Sequence, residues 1–190
     1  MKLGRLLLRG AVGGFFVGHG TQKLYGWFGG QGLEATAQGF EGMGMRPGRL
    51  HATAAGYAEA GGGALMLLGL AVPVAASAIT SVMLTAINRV HLKNGPWATN
   101  GGYEYNVVLI AAALALAEVG PGRLSLDSAL GMDMHGPGWA AAALAAGAAG
   151  AAGAHFYAQS QAAPQPETAP PAPAEVTLSE QPATASQPSA

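Results

Sequence analysis

Cysteine is absent from all 190 residues. The chain therefore has no disulfide framework, no thiolate metal site and no thiol nucleophile. Charge is scarce as well. Asp, Glu, Lys and Arg make up 10% of the residues, where a typical soluble domain carries about 25%. No Lys/Arg block is dense enough for a nucleic-acid surface, so nucleic acid is excluded as a partner. No helical His-x-x-x-His or Glu-x-x-His pattern marks a metal site, and there is no haem or flavin motif. Gly29-Gly30-Gln31-Gly32 is no phosphate cradle, because it lacks the preceding strand and the P-loop lysine.

Apolar sequence is abundant. Half of all residues are hydrophobic, and they fall into stretches rather than alternating patterns. A bilayer core of about 30 Å needs about 20 helical residues. Four stretches approach that length: Leu6–Leu24, Leu50–Leu70, Val72–Val90 and Tyr103–Val119. A fifth, Trp139–Tyr157, is mostly Ala and Gly and is a candidate span, with an aromatic side chain at each end. A backbone in lipid must satisfy its own hydrogen bonds, so these stretches read as helices. Lys2, Arg5 and Arg9 imitate the start of a signal peptide, but Arg9 interrupts the apolar run and no small-x-small cleavage site follows it before Gly18-His19-Gly20, so a retained first span is expected rather than a cleaved signal. Pro73 makes the second link very tight and predicts an antiparallel helical hairpin. Small residues, Gly10, Gly13 and Gly14 in the first span and Gly61, Gly62 and Gly63 in the second, predict close helix packing. From Gln159 the chain turns to Pro, Ala, Gln, Ser and Thr without a basic residue, and this tail is expected to be disordered.

The expected fold is all-α: an integral membrane four-helix bundle, a candidate fifth helix rich in Ala and Gly, and a disordered C-terminal tail. The expected location is the cell membrane, multi-pass, with the lipid bilayer as first partner. Orientation is close to a tie. Lys2, Arg5, Arg9 and Arg123 lie on one side, and Lys23, Arg46, Arg49, Arg89 and Lys93 on the other.

Four antiparallel spans bring the first and third loops to one membrane face, where the unusual side chains gather. His19 and Lys23 share a helix face at the end of the first span. Arg89, His91 and Lys93 end the third span, and Tyr103, Glu104 and Tyr105 begin the fourth. Glu59 lies about 13 Å into the second span. An ionisable group at that depth faces a bundle interior, as a site or as a packing pair. Its expected partners are His19, Lys23 or Arg89. Tyr25, Trp27, Phe28, Trp97, Tyr103 and Tyr105 form either an interfacial aromatic belt or a wall for a flat ring. Glu118 sits at the other end, where Arg5, Arg9 and Arg123 are expected to pair with it.

Three motifs resemble the DoxX family of membrane proteins. The first is Gly18-His19-Gly20-Thr21-Gln22-Lys23-Leu24-Tyr25-Gly26-Trp27-Phe28-Gly29-Gly30-Gln31-Gly32-Leu33-Glu34. The others are Ala58-Glu59-Ala60-Gly61-Gly62 and Asn100-Gly101-Gly102-Tyr103-Glu104-Tyr105. The resemblance implies a four-helix domain over residues 1–130; the candidate span at 131–158 and the tail at 159–190 lie outside it. It also implies a loose link to redox physiology. Relatives include a membrane subunit of a thiosulfate:quinone oxidoreductase, and others are associated with oxidative-stress complexes. The matching positions are His19, Gln22, Lys23, Glu59, Asn100, Tyr103 and Glu104. With Arg89 and His91 they are the candidate ligand-binding or proton-handling residues, and none is assigned a catalytic role.

Three functions are open. The chain is a quinone-linked component of a redox or oxidative-stress complex, binding a small lipophilic ligand near one membrane face. A peripheral or membrane enzyme subunit would then supply the redox centre. Alternatively, it is a non-enzymatic scaffold or anchor for a partner enzyme. In the third reading it is a small-molecule or proton carrier using Glu59.

Overall fold

A computed structural model describes residues 3–161, and these are helical, with no strand among them. Helix α1 spans Leu3–Tyr25, α2 Gly32–Gly42, α3 Gly48–Leu68 and α4 Val72–Ala86. Helix α5 spans Glu104–Val119, α6 Leu126–Leu130 and α7 Pro137–Ser160. Beyond Ala86, α4 continues through a π-helical turn, Ile87–His91, and a 3-10 turn, Leu92–Asn94. All five apolar stretches are thus helices. Gln159 and Ser160, expected in the tail, still belong to α7. The disorder expected further on concerns residues 162–190, which lie outside the described residues.

One element departs from expectation. The segment after Gly32 reads as a loop, yet it folds as α2 and packs on α1 and α3. Leu33, Ala37 and Phe40 fall four and three residues apart, which is one face of a helix. The run is too short to span a bilayer, which hides it among the loop residues.

The long helices alternate in direction, and backbone contact sets how they pair. Helices α1 and α3 meet through glycine. A Cβ on Gly13 would lie 2.5 Å from Leu67 N, and one on Gly63 would lie 2.6 Å from Val17 N. Gly20 meets Ala60 and Gly56 in the same way. Gly13 and Gly20 are seven residues apart, as are Gly56 and Gly63, so each pair lines one seam. Gly10, Gly14 and Gly61 face open space and do not make the close packing expected of them. Helix α7 lies along α4 and α5, with Gly147 against Thr80 and Gly150 against Ser81.

The hairpin between α3 and α4 closes as expected. Gly69 adopts φ 65°, and Gly69 N and Leu70 N donate to Met66 O and Leu65 O. Ala71 also has positive φ, at 48°, and its N–H donates to the buried Asp127 carboxylate at 2.8 Å. Asp127 N donates in turn to Gly69 O at 3.0 Å, so α6 latches onto the hairpin.

The same end holds both N-terminal arginines. Arg5 donates to Val119 O at 2.6 Å and to Gly120 O. The buried Arg9 donates to Pro121 O at 2.7 Å and to Leu124 O. Carbonyls at a helix C-terminus lack partners and carry partial negative charge, so guanidinium donors suit the end of α5. The expected pairing of these arginines with Glu118 is corrected: no ion pair among the described residues includes it. The carbonyls at the end of α5 outcompete a side chain that points elsewhere.

The surface is apolar and the interior is partly polar. Leu7, Phe15, Val74, Val107, Val108 and Leu144 are exposed on their helices, while Arg9, Glu59, Thr80, Asn106 and Asp127 are buried. Among the described residues one helix, Val72–Asn94, is by itself long and apolar enough to cross a membrane. The others depart from that ideal for visible reasons. Helix α1 carries Arg5, Arg9 and Lys23, α3 carries Arg49 and Glu59, and α5 has only 16 residues.

The glycine seam is testable by paired substitutions. Gly63→Ala should cost about 1–3 kcal/mol through overpacking. Gly14→Ala, which meets nothing, should be neutral or stabilising by up to about 1 kcal/mol from helix propensity. Thermal unfolding in mild detergent reads both. Equal melting temperatures for the two variants would show that the seam is not tightly packed.

Candidate functional site

Opposite α6, the helices part around a cavity of about 520 Å³. The C-terminal ends of α1, α4 and α7 and the N-terminal ends of α3 and α5 surround it. The first and third loops lie at this same end. Phe16, Phe40, Met45, Val82 and Leu109 supply an apolar lining. Its polar members include His19, Lys23, His51, Glu59, Arg89, His91 and Asn106.

Lys23 and Glu59 form an ion pair at 2.5 Å between α1 and α3. Lys23 is one of the three partners expected for Glu59, and the register of the glycine seam explains the choice. Gly20 seats against Ala60, so the residue one turn further along α1 arrives beside Glu59. The pair is lopsided. The Glu59 side chain is 4% exposed and that of Lys23 is 26% exposed. The lysine tip can reach water by swinging its stem, and the carboxylate cannot.

His19 sits one turn before Lys23 and is braced from behind. Its Nδ1–H donates to Gln22 Oε1 at 3.1 Å, and Gln22 Nε2 donates to Phe28 O at 3.2 Å. That carbonyl is presented by the Gly26–Gly30 turn, in which Phe28 has φ 52°. Gly30 lies directly on the backbone of Gln22, where a side chain would clash. The long glycine-rich motif is thus a fold-back turn that orients His19. Gln22 braces the site and does not line it.

Arg89 and His91 ride on the π-helical turn of α4. Such turns widen the helix and re-aim side chains, and they are frequent at functional sites. Arg89 Nη2 lies 2.9 Å from His155 Nδ1 of α7. Arginine has only donors, so this histidine nitrogen is the acceptor. His91 Nδ1 lies 2.8 Å from Gly101 O, and Asn94 Nδ2 donates to the same carbonyl.

Asn100, Tyr103 and Glu104 stand apart from the cavity lining. They build the loop before α5. Gly102 N donates to Trp97 O, Tyr103 N to Gly95 O and Glu104 N to Pro96 O. The cavity end of this motif is instead Tyr105 and the buried Asn106, whose amide donates to Met83 Sδ at 3.3 Å.

Of the two readings of the six aromatics, belt or flat-ring wall, the wall is not built, since only Tyr105 of that set lines the cavity. Tyr25 and Trp27 stack on each other at 5.4 Å, Phe28 meets Trp27 edge-on, and all three face outward with Trp97. Their exposure follows from the fold-back turn, which throws them off the end of α1.

His51, Asn106 and His155 escape the sequence reading. Each has a signal there, being a polar residue inside an apolar stretch. His51 is buried at the start of α3 and packs on Tyr157 at 5.9 Å.

Residues 4–92 match the DoxX family model. Over these residues the chain is a DoxX domain. The matched region runs from α1 to the π-helical turn of α4 and includes His19, Lys23, Glu59, Arg89 and His91. It ends before the Asn100–Tyr105 motif. No curated protein and no solved structure matches the chain. The DoxX family is membrane-associated, which accords with the apolar exterior of the helices.

The lopsided pair generates an ordered set of stabilities. Lys23→Met leaves the buried Glu59 carboxylate without its partner and should cost about 3–5 kcal/mol. Glu59→Gln should cost less, because Lys23 can turn to water. The double variant should recover most of the Lys23→Met loss. Thermal unfolding of the three proteins checks this order. A double variant no better than Lys23→Met would mean that the pair is not coupled.

Proposed function

We propose that this DoxX protein is a multi-pass membrane protein that holds a small lipophilic ligand in the cavity at one membrane face. Helices α1, α3, α4 and α5 form a four-helix membrane bundle within a DoxX-like domain over residues 1–130, and α7 adds a fifth span against α4. Helix α2 lies across the end of α3 as a cover. The observation that carries the reading is the combination inside one cavity: a mostly apolar wall and a buried Lys23–Glu59 pair. Cavities of this size, with few convergent polar groups, suit small ligands. Structural support for the lipid setting is the apolar exterior around buried polar side chains, the reverse of what water selects.

A quinone fits the redox form of this reading. Lys23 has further N–H donors that can meet a carbonyl oxygen, and His19 keeps Nε2 free of the Gln22 brace as an acceptor for a quinol hydroxyl. Glu59 and His19 can accept the protons a quinol releases as it is oxidised, while its electrons leave to a redox centre outside this chain. This chain offers no electron carrier of its own, so a partner enzyme subunit would supply one. The scaffold reading keeps one observation in its favour, the outward cluster of Tyr25, Trp27 and Phe28 at the cavity end. Aromatic anchors of that kind also suit an interface with lipid headgroups.

The chain has no native cysteine, so single cysteines report topology without background. Ala35→Cys and Ala98→Cys should be labelled from the same side of the membrane, and Ala129→Cys from the other. Labelling of Ala35→Cys and Ala98→Cys from opposite sides would sink the topology. Lipophilic compounds that co-purify in mild detergent should be identified by mass spectrometry. His19→Ala and Glu59→Gln should lose them while remaining folded. Unchanged retention in both variants would leave the pair a packing element only.

A further inference from the structure

The cavity has a second polar station, on the wall away from the Lys23–Glu59 pair. We infer that Arg89 is an anion-binding residue, and that it takes the head group of an amphiphile with one negative charge and an apolar body. The inference rests on the reading of the cavity as a ligand site.

Charge counting comes first. The acidic, lysine and arginine side chains lining the cavity are Glu59, Lys23 and Arg89. Lys23 and Glu59 cancel within their ion pair. Arg89 is left over, and no ion pair among the described residues includes it. The remaining titratable lining groups are His19, His51, His91 and Tyr105. A protonated histidine would only increase the positive sign. The cavity therefore carries one uncompensated positive charge in an apolar enclosure, where a lone charge is costly.

Donor counting agrees. Arginine offers five N–H donors and no acceptor. Among the described residues, Arg89 has one side-chain hydrogen-bond partner, the neutral lone pair of His155 Nδ1 at 2.9 Å. His155 Nε2 is engaged at 3.0 Å by the Gln159 amide. The Arg89 Nε–H is buried with no partner among the described residues. Arg89 Nη1 has no partner among them either and, unlike Nε, is not closed off, so its N–H donors are the ones an acceptor in the cavity can meet. A carboxylate supplies two acceptor oxygens in the spacing a guanidinium matches.

Placement completes the case. The π-helical turn sets Arg89 at the cavity rather than letting it snorkel to the membrane surface. Phe40, Met45, Val82 and Ala154 give an apolar enclosure for the body of the ligand. The Lys23–Glu59 pair is self-neutralised and suits a neutral polar group. Arg89 is unneutralised and suits an anion.

Binding of dodecanoate and of dodecanol to the full-length protein in a maltoside detergent at pH 8 tests this. The two probes share a chain and differ in head charge. Dodecanoate should bind about tenfold more tightly, the scale of a charge-assisted hydrogen bond. Arg89→Gln should level the two affinities, and Arg89→Lys should keep part of the preference. Thr85→Glu supplies a carboxylate on the cavity wall next to Arg89 and should also level them, which covers the case in which Arg89→Gln does not fold. Equal affinities in the unaltered protein, or a preference that survives both Arg89→Gln and Thr85→Glu, would overturn the inference. If both probes bind and Ala58→Trp blocks both, the cavity reading stands whether or not the anion preference does. If neither probe binds, or Ala58→Trp leaves binding unchanged, the cavity reading falls and the inference falls with it.

Discussion

Everything near the cavity depends on how closely α1 and α3 approach. The two backbones touch at Gly13, Gly20 and Gly63, with no side chain between them. That contact sets the register of one helix on the other. It brings Lys23 to Glu59 at 2.5 Å and removes the carboxylate from any other solvent. A single added methyl on the seam would push the helices apart and open the pair. In lipid, where apolar side chains gain little by leaving their surroundings, such backbone packing and interhelical polar contact hold helices together.

The two ends of the molecule are finished differently. At one end Arg5, Arg9 and Asp127 use backbone partners to tie α5, α6 and the hairpin into a closed cap. Their charges are spent on carbonyls and one N–H. At the other end the helices splay around the cavity, and its charges face each other or face space. Helix α2 and the turn of Met43 and Met45 cover part of that opening. A firm base beneath a looser, polar mouth is an arrangement in which a ligand can enter without disturbing the packing below.

The DoxX match and the geometry speak to different parts of the chain. The family model covers α1 to α4. The cavity also needs Tyr105, Asn106 and Leu109 of α5, and Gly150 and Ala154 of α7. Helix α7 is a wall of the site, because small residues let it lie flat on α4. Its His155 is the partner of Arg89.

Much of the fold is legible in the residues alone. Length and hydropathy locate five helices to within a few residues, since a helix in an apolar setting needs a continuous run of about 20 such residues. Depth alone marks Glu59 as paired. Short amphipathic α2 escapes notice because its period covers only three turns among loop residues. Sequence reasoning leaves the aromatics open between an outward belt and a cavity wall, because which face of a turn looks inward depends on φ at Gly26, Phe28 and Gly29. Gln22, Asn100, Tyr103 and Glu104 share motifs with cavity residues yet serve as braces and turn builders. By itself the sequence determined that the chain is helical, apolar outside its tail, and burdened with a few charges that must find partners. Only the tertiary structure decided which partners those were. The choice of Lys23 for Glu59, of backbone carbonyls for Arg9 and of His155 for Arg89 follows from helix register and rotation, and those depend on which glycines meet across the seams.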